Sequence, residues 1–363
     1  MKLQVTQENL NKALANVARI ANSRTTLPIL SNVLLKTVNG RLSIAATNLD
    51  IAITHYVGAK VATEGSITVP ARLMQDFVGS LPSGTITLEL EDHKLHVSAG
   101  QYQSTINGVS AEDFPVMPAI TKGTSWTLPS QALKKGLHQV VLAASNDETR
   151  PVLTGVYFHT NQDELFLAAT DSYRLGEKKL TKTTQVINLL IPANAMQDLL
   201  RVLGDNESII EITNDDQQVL FKVNDVELVT RLIEGNYPDY KRLIPESFTT
   251  KAVIKKTELA NITKVSSLFA RESAGSVTFK VDEEKQSVSI HSIASQLGEN
   301  NAQAEAKVTG SGEITLNSRY LLDALGVING DEVEFCFNGK LEACVIKASK
   351  TSDYTHIIMP LKS

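Results

Sequence analysis

The chain repeats itself. Ile44 opens Ile-Ala-Ala-Thr-Asn, Leu167 opens Leu-Ala-Ala-Thr-Asp and Ile290 opens Ile-His-Ser-Ile-Ala, each 123 residues after the one before. A second cassette keeps nearly the same period. Val69-Pro70-Ala71-Arg72-Leu73-Met74-Gln75-Asp76-Phe77 matches Ile191-Pro192-Ala193-Asn194-Ala195-Met196-Gln197-Asp198-Leu199, 122 residues on, and Leu316-Asn317-Ser318-Arg319-Tyr320-Leu321-Leu322-Asp323-Ala324 follows after a further 125. The alternating pairs Val33 and Leu35, Val156 and Phe158, and Phe279 and Val281 stand 123 apart, as do Pro28-Ile29-Leu30 and Pro151-Val152-Leu153. Self-similarity at a fixed period marks tandem copies of one supersecondary unit. At 363 residues the chain exceeds what one hydrophobic core holds. Three modules are expected, 1–122, 123–248 and 249–363. The joins are short and not rich in glycine and serine, so the modules should be fixed relative to one another.

Each module reads alike. A helix comes early, at Gln7–Ala21, Pro129–Ser145 and Lys255–Arg271. Leu10, Leu14 and Val17 give the first an apolar stripe, and Leu133, Leu137, Val140 and Val141 the second. Short alternating strands follow. Leu165-Phe166-Leu167 reads as a buried strand, after which Ala168–Leu175 switches to hydroxyl, aromatic and cationic side chains. A second helix sits at the cassette, with Pro70 and Pro192 suited to its first turn and Asn317 to its cap. Asn39-Gly40 and Asn338-Gly339 signal two-residue hairpins. The latter would set Cys336 opposite Leu341 and Cys344 opposite Val333, with the thiols on opposite faces, so both should stay reduced. The fold class is α+β: three similar modules, each with antiparallel sheets and two helices. No apolar run reaches the ~20 residues of a membrane span, and the N-terminus lacks an apolar signal core, so the cytoplasm is expected.

Charge is distributed unevenly. The expected helices carry eleven cations and five anions, a net +6, within a chain of net −5, which leaves −11 elsewhere. Glutamate is as good a helix former as lysine, so propensity alone does not create this asymmetry. A cationic set of helices suits nonspecific contact with the phosphates of a nucleic acid. Aromatics are only 5%, too few for a base-stacking surface. No phosphate loop, dinucleotide fingerprint, nucleophile elbow or zinc-protease motif occurs, and no cofactor is expected. His93 and His96, the closest histidine pair, are expected at a polar hairpin tip rather than on a metal. Two classes remain: a noncatalytic protein acting on DNA, and a repeat-built β-rich enzyme or carbohydrate- or surface-binding protein.

Several stretches together resemble the bacterial sliding clamps, the beta subunits of DNA polymerase III. They are Thr26-Leu27-Pro28-Ile29-Leu30-Ser31-Asn32-Val33, Val69-Pro70-Ala71-Arg72, Asp113-Phe114-Pro115, Arg150-Pro151-Val152-Leu153-Thr154-Gly155, Ala169-Thr170-Asp171-Ser172-Tyr173-Arg174-Leu175, Tyr237-Pro238-Asp239-Tyr240 and Met359-Pro360-Leu361. No single motif decides; their order and spacing across the whole chain do. The resemblance implies a noncatalytic, DNA-clamp-type processivity factor, a head-to-tail homodimer of three-module chains closing a ring around double-stranded DNA. It implies Arg24 and Arg72 as DNA contacts, and charge alone adds Lys12, Lys134, Lys135, Arg150 and Lys264. Ala193 and Asn194 stand where some family members are basic. Ile106, Leu268 and Phe269 are implied at the dimer contact. A groove between the second and third modules is implied to bind short linear peptides of the polymerase alpha subunit, the clamp loader and repair polymerases. Its lining carries over as Leu153, Thr170, Ser172, Tyr173, Arg174, Leu175, Pro238, Arg242, Leu243, Ile357 and Met359, with Asn317, Tyr320 and Leu361 adjoining. Arg174 and Arg242 are expected to meet acidic or backbone groups of the peptide.

Overall fold

The structure is a computed structural model that describes residues 1–21, 27–120, 122–294, 298–350 and 353–361. The first repeat runs β1 (Lys2–Thr6), α1 (Gln7–Ala21), β2 (Asn32–Val38), β3 (Arg41–Thr47), β4 (Ile51–Gly58), β5 (Lys60–Thr63), β6 (Ser66–Pro70), α2 (Ala71–Ser80), β7 (Thr85–Glu91), β8 (Lys94–Ala99) and β9 (Tyr102–Asn107). The second runs β10 (Thr124–Pro129), α3 (Ser130–Val140), β11 (Gly155–Asn161), β12 (Glu164–Thr170), β13 (Arg174–Lys182), β14 (Asn188–Pro192), α4 (Ala193–Val202), β15 (Ile209–Asn214), β16 (Gln218–Val223) and β17 (Val226–Arg231). The third runs β18 (Thr250–Lys255), α5 (Lys256–Phe269), β19 (Ser276–Asp282), β20 (Ser287–Ala294), β21 (Gly298–Glu305), β22 (Lys307–Thr309), β23 (Gly312–Asn317), α6 (Ser318–Val327), β24 (Glu332–Phe337), β25 (Cys344–Ala348) and β26 (Tyr354–Ile358).

The early helices bury the expected stripes: Leu10, Leu14 and Val17 on α1, and Leu133, Leu137 and Val140 on α3. α1 has the expected bounds, whereas α3 and α5 are shorter than expected. Pro129 closes β10, α3 stops at Val140 with a 3-10 turn over Val141–Ala143, and Lys255 is an extended cap before α5. Pro70 and Pro192 likewise end β6 and β14 instead of opening helices. Both strands are sheet edges, where a missing N–H removes no ladder bond. Asn317 caps α6 as expected, its Oδ1 accepting from the N–H of Arg319 and Tyr320.

Asn39-Gly40 forms the expected two-residue turn, with Val38 opposite Arg41 and both turn residues at positive φ. Asn338-Gly339 does not. Cys336 lies opposite Val345 and Val333 opposite Ala348, so the loop is longer. The Asn338 side chain accepts from Thr249 N–H at 2.7 Å and donates to Ser247 O at 2.9 Å, which ties it to the preceding join instead. The cysteines still point to opposite faces, and both are buried free thiols. Burial pushes Cys336 up to about 11 and Cys344 also upward. His93 stands at the β7–β8 turn, but His96 lies within β8, its ring bonded to Thr105, so the two are not a tip pair.

Two compact units result, and they do not follow the repeat boundaries. One comprises Met1–Gln131 and Gln197–Leu232, the other Ala132–Met196 and Ile233–Ser363. The reason is that sheets run across the joins. In the first unit β10-β15-β16-β17-β4-β3-β2-β6 is one eight-stranded sheet, with β17 of the second repeat bonded to β4 of the first. In the second unit β14-β11-β12-β13-β26-β25-β24-β18-β22 is a nine-stranded sheet, joined where β13 meets β26. Each unit also holds one smaller sheet: β5-β1-β7-β8-β9 in the first, β21-β20-β19-β23 in the second.

The two joins share one register. Val226 to Thr230 pair with His55 to Ile51, and Tyr354 to Ile358 pair with Lys178 to Arg174. His55 and Lys178 hold the same repeat position, as do Val226 and Tyr354.

Candidate partner groove and open strand edges

The turn from β12 to β13 is built by its own side chains. Thr170 Oγ1 accepts from Ser172 N–H (3.2 Å) and donates to Arg174 O (2.6 Å). Asp171 Oδ1 accepts from the N–H of Tyr173 and of Arg174, both at 2.9 Å. Such short polar side chains mimic a backbone turn. Ser172 sits at φ 79° in its middle, and Tyr173 is pushed outward, 58% exposed. The first repeat makes the same turn bond for bond. Thr47 accepts from Leu49 N–H and donates to Ile51 O, Asn48 accepts from the N–H of Asp50 and Ile51, and Leu49 sits at φ 80°.

Arg174 anchors this turn rather than reaching outward. Its Nε lies 3.1 Å from Asp171, a terminal nitrogen lies 2.7 Å from Asp323 of α6, and its guanidinium lies 4.4 Å from the Tyr320 ring centroid. It is only 13% exposed. Arg242 is exposed but pairs with Asp239 at 2.6 Å. In the chain by itself the Arg174 guanidinium is held by two carboxylates.

The other expected lining residues divide in two. Leu175 and Ile357 belong to a buried cluster with Ala168, Tyr240, Cys336 and Val345, and Leu153 and Thr170 are also buried, so they form the floor. Pro238, Leu243, Ser172 and Tyr173 are exposed, with Met359, Leu361, Asn317 and Tyr320 half-buried. The chain after β26 is tied across this floor: Met359 N–H donates to Tyr173 O at 2.8 Å and Leu361 N–H to Thr315 O at 2.9 Å. A cavity of about 670 Å³ opens beside it, lined among others by Arg150, Tyr173, Arg174, Asn317, Arg319, Tyr320 and Asp323.

A buried device that the sequence reading missed holds the opposite wall. Tyr237, Tyr157, His159 and Phe166 stack in series, and Lys241 covers Phe166. Tyr240 donates to Glu177 at 2.5 Å, so His159 Nε2, 2.6 Å away, is the donor to the Tyr240 oxygen. Burial, then Lys241, lowers His159 to about 4, and burial and Glu177 push Tyr240 upward. This fixes 237–243, which carries Pro238, Arg242 and Leu243. Only the alternation of aromatics in β11 hinted at it.

Among the described residues, the repeat counterparts of the strands paired at the two joins, β9 and β21, have no partner on their outer side. β9 is one outermost strand of its small sheet, at the edge away from β5, and β21 is one of the other, at the edge away from β23. Leu268 is 49% exposed and Phe269 half-buried, and Val265, which was not expected, is also exposed. Ile106 is only 4% exposed, because it occupies the inward-facing position of β9 that Thr230 occupies in β17. Its side chain is core, and what the edge offers there is backbone.

The expected DNA contacts differ in exposure and pairing. Lys12, Arg72, Lys135 and Lys264 are exposed on their helices, and Lys134 is half-buried. Arg72 lies 3.8 Å from Asp76. Arg24 lies outside the described residues. Arg150 is on no helix; it pairs with Asp147 at 3.2 Å, donates to Ser172 Oγ at 3.0 Å and stands with the groove. With Lys255 and Arg271 outside α5, the six helices carry nine cations and five anions, net +4 rather than +6. No helix among the described residues is long and apolar enough to cross a membrane.

Family models of the DNA polymerase III beta subunit match the chain three times: the N-terminal domain over residues 1–118, the central domain over 127–239 and the C-terminal domain over 241–362. The beta sliding clamp of Bacillus subtilis is 30% identical over 380 residues, and that of Staphylococcus aureus 30% over 376, each with full coverage of both chains. The solved DNA polymerase sliding clamp of Bacillus subtilis superposes with a TM-score of 0.94 at 29% identity, covering 100% of this chain and 99% of that one. The DnaN sliding clamp of Bartonella birtlesii, solved bound to griselimycin, gives 0.95 at 28% identity with full coverage of both. None of these likenesses favours a repeat-built enzyme or a carbohydrate-binding protein. Three matched domains in order, full-length relatives and a shared fold place the chain in the family of DNA polymerase III beta subunits, the beta sliding clamps.

Proposed function

We propose that two copies of this chain close head to tail into a ring around duplex DNA, and that the ring holds polymerases and other DNA-processing proteins there through short peptides bound beside Tyr173. It carries out no chemistry of its own and works in the cytoplasm. One observation carries the reading. Two joins between repeats are complete and share a register, while the equivalent edges of the first and third repeats are left open. Exposed strand edges invite pairing. Pairing β9 of one chain with β21 of another, twice, closes a two-fold assembly. Carrying the register over sets Tyr102 opposite Ala302, Ser104 opposite Asn300 and Ile106 opposite Gly298 of the second copy, and brings the exposed Val265 and Leu268 to the seam.

A closed ring stays on DNA by topology, so its contacts need only be few and cationic. Lys12, Arg72, Lys135 and Lys264 suit phosphates, whose recognition carries no sequence information. Lys134 and Arg24 join them in this reading. The three modules, 1–122, 123–248 and 249–363, are the units that the ring repeats.

Light scattering and retention on DNA test this together. A particle near twice 39.5 kDa is expected. Once loaded on a nicked circle by a clamp loader, it should be retained until the circle is cut and then slide off. A monomer, or binding that is indifferent to cutting, would rule out the ring.

A further inference from the structure

The partner groove has a counterpart at the first join, 123 residues earlier in the chain, and its side chains differ in one main direction. Apolar members stay apolar: Leu153, Pro238 and Leu243 answer to Leu30, Pro115 and Ile120. Five charged ones do not stay charged. Arg150, Asp171, Arg174, Asp239 and Arg242 answer to Leu27, Asn48, Ile51, Val116 and Ala119. Asp50, in the place of Tyr173, runs the other way. The first join thus repeats the recess with most of its charge removed.

The backbone of the two recesses is the same. Thr47 to Ile51 keep the bonds of Thr170 to Arg174. Leu30 N–H donates to Leu27 O at 3.1 Å, as Leu153 N–H does to Arg150 O at 3.0 Å. Arg231 N–H donates to Asp50 O at 3.0 Å, as Met359 N–H does to Tyr173 O at 2.8 Å. Leu27, Leu49 and Val116 are exposed, while Leu30 and Ile51 are buried. Single apolar residues on a surface need no explanation, but these three hold positions of one recess. Leu49 adds a second observation. It holds φ 80° with its side chain half in water, where Ser172 meets the same backbone with a short polar group. Strain that the fold itself does not offset is found where a chain clamps a ligand.

We infer that the first join carries a second docking recess, anchored on Leu49, which takes an extended partner segment through aliphatic or aromatic side chains without a charged neighbour. This rests on the groove reading above, because the same backbone recess is asked to hold the same kind of segment. The register that puts Arg150 against Ser172, 3.0 Å apart, sets Leu27 beside Leu49, above Leu30. Such a surface gains from burial and not from ion pairing, so docking there should change little with salt. A few apolar anchors supply most of the affinity.

The test uses the full-length chain with its leucine and isoleucine methyl groups labelled for NMR, and a synthetic peptide with leucine and phenylalanine anchors and no charged side chain. The methyls of Leu27, Leu30, Leu49 and Ile120 should shift as one saturable set, distinct from the set of Leu153 and Leu243 in the groove. Leu49→Asn should weaken the first transition roughly tenfold, read at Leu30 and Ile120, and leave the second as it was. The same change relieves strain, so it should raise the urea midpoint while it weakens docking, a combination that a purely structural role for Leu49 does not produce. Leu27→Gln alters no backbone conformation and should weaken the first transition likewise. Movement of Leu153 and Leu243 alone would overturn the second recess and leave the groove standing. A Leu30 transition that survives both substitutions unchanged would also overturn it. If neither set moves, the groove reading falls and this inference with it.

Discussion

Leu49 sits where a leucine ought not to. A non-glycine residue in the left-handed region costs roughly 1–2 kcal/mol, least for asparagine and aspartate. Its φ of 80° is imposed by the turn that Thr47 and Asn48 build, and its counterpart Ser172 at 79° has a much shorter side chain. Half of Leu49 is in solvent, so little burial offsets the strain. Leu49→Asn should therefore raise the midpoint of urea unfolding, by about 0.5–1 kcal/mol in stability, with the slope unchanged; a midpoint that stays put or falls contradicts the strain. The turn itself was legible in Thr170-Asp171-Ser172, whose side chains bond locally. The role of Arg174 was not, because its second carboxylate comes from Asp323, and a partner that distant leaves no trace in local spacing. The burial of Leu175, Ile357 and Ile106 escaped for a related reason. A strand pattern says which residues share a face, not which sheet covers that face.

Helices and short hairpins were read well where local chemistry decides. The bounds of α1, the turn at Asn39-Gly40 and the cap at Asn317 all follow from residues within a few positions. The turn at Asn338-Gly339 failed because Asn338 is recruited by Ser247 and Thr249, a tertiary demand that overrides turn preference. Edge strands carry a sharper expectation. In the join of β17 with β4, Arg231 N–H donates to Asp50 O and Tyr56 N–H to Asp225 O, so every second residue of β17 faces the neighbour. Val229 is one of these, and Thr105 is its counterpart in β9. A proline there removes an outward N–H, which an edge strand tolerates and a paired strand does not. Thr105→Pro should leave the circular dichroism of the chain intact while converting the dimer to particles near 39.5 kDa by light scattering. A dimer that survives the change would move the seam away from β9.

Histidines at the joins make stability depend on acid. His356 is fully buried opposite Gly176 in the second join, and burial followed by Arg174 lowers it to about 3. His55, in the first join, is lowered to about 4 by burial and then by Lys12. An unfolded histidine takes up its proton near pH 6.5, whereas His356 resists down to about 3. Stability is thus complete above about pH 6.5 and is lost progressively below it, by about 2 kcal/mol near pH 5 for this residue alone. Leu228 fills the equivalent place in the first join, so His356→Leu should be accommodated and should flatten the decline between about pH 7 and 5, measured as urea midpoints. Carboxylates that titrate in the same range act equally in both proteins; parallel declines would show that His356 does not contribute. The duplicated turn has a consequence of a different kind. Thr47 to Ile51 and Thr170 to Arg174 keep the same internal bonds although their outward residues have diverged to leucine and aspartate in one and to serine and tyrosine in the other. The backbone of this recess is thus independent of the residues that face the water, so in these two copies its surface chemistry can change without rebuilding the turn.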